Sequence, residues 1–155
     1  MGVQGAGKTT IGSLLARELS FEFQDADNFH SPANIEKMRR GIPLTDEDRE
    51  PWLAALHQAI LRWAADQRNV VLACSALKDI YRKELIVSPE VRLVYLKATY
   101  ELILNRLELR QGHYAGKSLL RSQFANLEEP TNGLTVDASL PPAQIVCEIR
   151  SRLVR

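Results

Sequence analysis

The sequence predicts an α/β fold built on a mostly parallel sheet, and three observations point there. Apolar residues alternate between short continuous runs and a helical spacing near 3.6 along the whole chain. The runs Val70-Val71-Leu72-Ala73-Cys74 and Leu93-Val94-Tyr95-Leu96 are bounded by polar residues, as strands covered on both faces should be. A glycine-rich segment, Gly2 to Thr9, leads directly into an amphipathic stretch. The length of 155 residues matches one domain at about 150 residues each, so residues 1–155 are read as a single unit.

Each element has its own warrant. Ile11, Leu14, Leu15 and Leu19 form one face of a first helix, and Phe21 to Asp25 reads as a short strand. Ser31-Pro32 supplies an N-cap with proline at the first helical position, and a short helix runs on through Met38. Gly41-Ile42-Pro43-Leu44 breaks it. Thr45, with Asp48 three residues later, resembles a capping box opening a long helix that buries Trp52, Leu53, Leu56, Ile60 and Trp63. After the two apolar strands come helices around Asp79 to Ile86 and Tyr100 to Leu109. Gln111 to Lys117 holds glycines but no sustained apolar period, so a mobile lid is expected around 110–118. A helix near Leu119 to Leu127, a strand at Leu134 to Val136 and a final helix carrying Ile145, Ile149 and Leu153 complete the order.

Composition excludes several roles. Twenty Lys+Arg against 19 Asp+Glu leave a net charge of +1, too little field to hold a nucleic acid or an anionic membrane surface. No apolar run approaches the roughly 18 residues of a membrane span. Cys74 and Cys147 have neither disulfide-framework nor metal-ligand spacing, which predicts a reducing, cytoplasmic setting.

Gly2-Val3-Gln4-Gly5-Ala6-Gly7-Lys8-Thr9 fits G-x-x-x-x-G-K-[ST], whose glycines let backbone N–H groups curl around phosphate oxygens ahead of a helix dipole. Gly2, Gly5, Ala6, Gly7, Lys8, Thr9 and Thr10 are therefore candidate nucleotide-binding residues, although Thr10 could simply begin the helix. In this motif the lysine reaches the β/γ-phosphates of ATP and the Thr9 hydroxyl ligates Mg²⁺. Asp25 and Asp27 stand two apart at a strand end, where a period of 2 would point both carboxylates to one side. Ligands in open α/β sheets bind beyond such ends. Asp25 is assigned to the Mg²⁺ shell and Asp27 to an acceptor hydroxyl, as base or orienter; an Asx turn closing the strand is the alternative. His30, Arg49, Lys78 and Arg82 lie near helix starts or strand ends and could converge on an anionic acceptor, or be ordinary surface charges. Arg106 and Arg110, one helical turn apart and running into the glycine-containing segment, could bring charge onto a transferring phosphate or form a solvated face. Asp137 could border an adenine site or cap the next helix.

Taken together, these segments resemble the gluconokinases of the shikimate-kinase-like P-loop kinases over nearly the whole chain. The resemblance is carried by Gly2 to Thr9, Asp25-Ala26-Asp27 with His30, Gly41 to Asp46 with Asp48-Arg49 and Pro51-Trp52-Leu53, and Cys74 to Lys78 with Tyr81-Arg82. Gly112-His113, Leu119-Leu120, Ser122-Gln123-Phe124 and Leu127-Glu128 add to it. It implies a three-layer P-loop kinase fold and ATP-dependent phosphorylation of D-gluconate to 6-phospho-D-gluconate by a cytoplasmic, usually dimeric enzyme. It also implies that Asp27, Arg49, Lys78, Arg82 and His113 approach the sugar acid while Arg110 belongs to the lid over ATP. Family members usually follow the His113 position with an aromatic residue and methionine, whereas Tyr114 is followed here by Ala115, Gly116 and Lys117.

Met1 stands directly before the phosphate loop, where the fold runs an apolar strand, so the first strand is expected to be missing. Five to seven apolar, β-branched residues ahead of Met1, roughly one strand's length, are expected to raise both Tm and kcat/KM. Rival readings are a shikimate-type hydroxy-acid kinase and a nucleotide-binding relative without turnover. Cys74-Ser75-Ala76, where shikimate kinases carry a glycine run, argues against the first. The retained Lys8, Thr9, Asp27, Arg49 and Lys78 argue against the second.

Overall fold

Two parallel strand pairs form the middle of the molecule. In the computed structural model, which describes residues 1–109 and 114–153, β1 (Glu22–Asp25) pairs with β2 (Val70–Ala73), and β3 (Val94–Lys97) pairs with β4 (Leu134–Asp137). Asp25 lies opposite Ala73 and Lys97 opposite Asp137. The backbone of Met1 and Gly2 runs between the pairs: the Leu96 N–H donates to the Met1 carbonyl at 2.9 Å and the Gly2 N–H to the Ser75 carbonyl at 3.3 Å. A cavity of about 440 Å³ separates β2 from β3, with Val70, Leu72, Val94, Leu96, Ile11 and Leu15 in its wall.

Around the strands lie α1 (Lys8–Leu19), a 3-10 helix (Ala26–Phe29), α2 (Pro32–Arg39), α3 (Asp46–Ala65), α4 (Asp79–Leu85), α5 (Tyr100–Leu109), α6 (Tyr114–Asn126) and α7 (Pro142–Leu153). Side chains of β2 alternate between two cores, as a pleated strand requires. Val71 packs against the core that contains Ile11, Leu15, Ile103, Leu120 and Ile149, whereas Leu72 packs against the core that contains Trp52, Leu56, Ile60 and Leu85. The sheet is thus covered on both faces, and the three layers follow from that alternation. Local signals act as expected: the Ser31 hydroxyl accepts from the Asn34 N–H at 3.2 Å, and the reciprocal Thr45/Asp48 box closes the start of α3.

Three expectations change. The first strand starts at Glu22, leaving Phe21 partly exposed. The chain leaves extended geometry at Ala26, so Asp27 sits on the 3-10 helix and the period of 2 does not relate it to Asp25. The cause is local: the Asp25 carboxylate accepts from the Asp27 N–H at 3.0 Å and turns the backbone there. Finally, α6 begins at Tyr114 instead of Leu119. Gly116 costs about 1 kcal/mol in a helix, which is outweighed by the buried Leu120 and by the Lys117–Glu108 ion pair that ties the first turn of α6 to α5. The lid expected around 110–118 therefore overlaps α6, while Arg110 and His113 lie outside the described residues.

Candidate active site

The phosphate loop is shaped by glycine conformations. Gly2 has φ 154° and Gly5 has φ 80°; a Cβ would stand 2.9 Å from the Leu96 carbonyl oxygen at Gly2 and 3.0 Å from Ile103 Cγ2 at Gly5. Gly7 is the N-cap of α1 and brings no side chain to its first turn. The N–H groups of Lys8, Thr9 and Thr10 are therefore left for an anion, at the positive end of the helix dipole. Ala6 is buried beneath the loop, with its N–H donating to the Val3 carbonyl at 3.2 Å. The Lys8 ammonium donates to the same carbonyl at 3.0 Å, folded over its own loop. Burial holds its pKa below the usual lysine range, and Asp27, Cys74 and Asp25 oppose that shift.

Two further side chains brace this loop. Arg106 donates to the Gly5 carbonyl at 3.2 Å and to the Ala138 carbonyl at 2.6 Å, linking the phosphate loop to the turn after β4. The Gln4 N–H donates to Gln123 Oε1 at 2.6 Å. Gln123 received no role from the sequence, because a glutamine inside a helix carries no local signal of what its amide meets across the fold. Asp137 accepts from the Ser139 N–H at 2.8 Å and so closes the turn after β4; α7 begins only at Pro142, so Asp137 does not cap it.

Thr9 and Asp25 come together as expected, the hydroxyl donating to Asp25 Oδ2 at 3.1 Å. Hard oxygen donors in this number suit Mg²⁺, which keeps most of its shell for water and substrate phosphates. Asp27 faces the same space from the 3-10 helix. Burial raises its pKa above the ordinary carboxylate value, the Asp25 charge adds to this, and the Lys8 ammonium opposes it. The segment is held from below by Trp52, whose indole N–H donates to the Ala26 carbonyl at 2.7 Å. Trp52, read from the sequence as core only, therefore fixes the backbone between the two carboxylates. His30 stacks on its ring at 4.5 Å and 8°, and burial, helped by Arg49, depresses the imidazole pKa to about 4.

Across from the carboxylates, the start of α3 meets the start of α4. Lys78 pairs with Asp46 at 2.9 Å, the Tyr81 hydroxyl donates to the same carboxylate, and Arg49 donates to the Leu44 carbonyl at 2.6 Å and the Tyr81 oxygen at 3.4 Å. Both cations also lie over the Tyr81 ring, at 5.5 and 5.7 Å from its centre. Arg82 differs from these. It is 4% exposed and donates to the Ala76 and Leu77 carbonyls at 3.0 Å, and its Nε has no hydrogen-bond partner among the described residues. It holds the carbonyls of the backbone just before Lys78 and lies 3.6 Å from the Asp79 carboxylate. Asp46 and Tyr81 were given no role by sequence reasoning; their approach spans 35 residues of chain.

A family model described as shikimate kinase matches residues 4–152. The probable gluconokinase of Mus musculus is 43% identical over 164 residues, covering 91% of this chain and 89% of the relative. The chain belongs to the shikimate-kinase-like gluconokinase family. Within that family, the thermosensitive gluconokinase of Escherichia coli K12 is 47% identical over 131 residues, covering 84% of this chain and 70% of that protein. A solved gluconokinase from Sinorhizobium meliloti superimposes with a TM-score of 0.89 at 39% identity, covering all of this chain and 89% of that one. The fold is that of the P-loop kinases, and the family uses a nucleotide and a small-molecule acceptor.

Proposed function

We propose that this gluconokinase-family chain transfers the γ-phosphoryl group of ATP to a hydroxyl of D-gluconate, giving 6-phospho-D-gluconate. The observation that carries this reading is the pairing of a carboxylate of raised pKa, Asp27, with the phosphate-loop Lys8, opposite a cluster of cations fit for a carboxylate. Asp27 takes or orients the proton of the acceptor hydroxyl, since a base whose pKa lies closer to working pH is the more effective. Lys8 turns from Val3 to the transferring phosphoryl oxygens, and the loop N–H groups hold the phosphates. Thr9 and Asp25 would hold Mg²⁺, which would supply neutralisation of the phosphate charge. Lys78 and Arg49 engage the acceptor carboxylate, and Arg82 positions the loop behind them. His30, neutral at physiological pH, meets a hydroxyl without adding charge. Arg106 steadies the loop near the nucleotide, and by family resemblance Arg110 and His113 complete the lid and the acceptor site. The same resemblance extends the reading to a cytoplasmic homodimer. Among the described residues no helix is long and apolar enough to cross a membrane.

A coupled ATP-turnover assay with gluconate, glucose and shikimate tests this. Gluconate should be used far faster than glucose, because a neutral sugar offers Lys78 and Arg49 no carboxylate to bind. Equal rates with glucose would overturn the assignment, and a preference for shikimate would replace it with the shikimate-type reading.

A further inference from the structure

We propose that Asp46 is a specificity-determining residue that occupies the acceptor-carboxylate position when the acceptor is absent, so that only an acceptor bearing its own anion can take its place. This rests on the gluconate reading above. Two donors converge on the one carboxylate, the Lys78 ammonium at 2.9 and 3.0 Å and the Tyr81 hydroxyl, and the Arg49 guanidinium stands behind them, 3.4 Å from the Tyr81 oxygen. Two cations and a phenol facing one anion leave the cluster short of negative charge.

Exposure sets the direction in which the donors point. The Asp46 side chain is 59% exposed, whereas Lys78 is 24% exposed and Tyr81 is buried. The carboxylate therefore caps the solvent side of the cluster, with its partners aimed outward at it. The capping box that closes the start of α3 is made by Thr45 and Asp48, so the Asp46 side chain is not needed for it. An arriving carboxylate can take over Lys78 and the Tyr81 hydroxyl while Asp46 rotates into water, where a carboxylate is well solvated. A neutral sugar offers no exchange of this kind, so it would have to break the ion pair without replacing it.

The experiment is steady-state kinetics on wild type, Asp46→Asn, Asp46→Ser and Tyr81→Phe, with melting curves and the KM for ATP measured beside them. Removing the internal competitor should lower the KM for gluconate about two- to fivefold in both Asp46 variants, the scale of a partly exposed ion pair, with kcat and the KM for ATP unchanged. The smaller serine carries the test should asparagine disturb folding. Tyr81→Phe should raise the KM for gluconate, because the acceptor loses the same donor. An unchanged or raised KM in the Asp46 variants would overturn the proposal and make Asp46 an aligner of Lys78. Wild type that turns over gluconate while those variants fail the test leaves the functional reading standing; wild type that ignores gluconate removes both.

Discussion

The proposed nucleotide side and the proposed acceptor side of this cleft are built from different materials. The phosphate loop is eight contiguous residues whose backbone is the proposed binding surface, with left-handed turns at Gly5 and Gly7 and an uncapped helix start. The acceptor side is a set of side chains drawn from α3 and α4, joined by pairs such as Lys78–Asp46 and Arg49–Tyr81 that are 32 residues apart in the chain. A backbone site tolerates little change in conformation but much in neighbouring side chains. A side-chain site behaves in the opposite way, and selectivity can be tuned there without touching the nucleotide.

The sharpest way to break that comparison is at Asp27, which stands between the two sides. Asp27→Asn keeps the shape and removes the anionic oxygen, so kcat should fall by about 10²- to 10⁴-fold while ATP affinity stays near wild type. The pH profile gives a second readout. With its pKa raised by burial and by Asp25, Asp27 loses its proton at a higher pH than an ordinary aspartate. Wild-type kcat/KM should therefore fall on acidification along a limb displaced toward neutrality, and this limb should be absent from the residual activity of the variant.

Next in size is the backbone side alone. Gly5→Ala places a Cβ at φ 80°, 3.0 Å from Ile103 Cγ2. Left-handed geometry costs a residue with a side chain about 1–2 kcal/mol, and the loop relieves the strain by moving. The thermal stabilisation given by Mg·ATP should shrink, while the response to gluconate alone is retained. A smaller effect is expected at His30, on the acceptor side. Its folded pKa of about 4 lies below the unfolded value near 6.5. Between these values the unfolded chain binds a proton that the folded ring refuses, so this contribution is full above about pH 6.5 and is lost as pH falls toward 4. In His30→Phe, which keeps the stack on Trp52, the drop in Tm between pH 7 and pH 5 should be smaller than in wild type by about 2–4 °C.

What could be read from sequence follows the same division. The phosphate loop, the Ser31 cap and the Thr45/Asp48 box were legible because each is a local rule acting over a few residues. The strands were legible from apolar runs, and Thr9 with Asp25 from motif and position. Asp27 was picked out by residue type; the strand geometry expected for it gives way to the Asx turn held as the alternative. Arg82 matched the residue type expected at a cation site, but its burial under the Ala76–Leu77 carbonyls depends on packing that no local pattern encodes. The Asp46–Tyr81 contact and the bracing by Gln123 were invisible for the same reason: polar partners chosen across the fold leave no periodicity in the chain. The start of α6 was missed because Gly116 and Gly112 outweighed, in a local reading, the tertiary support given by Leu120 and Lys117.

The segment from Ala26 to His30 touches both tryptophans of the chain. Trp52 bonds the Ala26 carbonyl and stacks on His30, while Trp63 meets Phe29 edge to face at 6.4 Å. Indole emission is sensitive to hydrogen bonding at its N–H and to a neighbouring imidazole, so the protein's intrinsic fluorescence is concentrated on the one turn that carries Asp27. The molecule has, in effect, a built-in optical gauge of the turn proposed to be catalytic, readable without any added label.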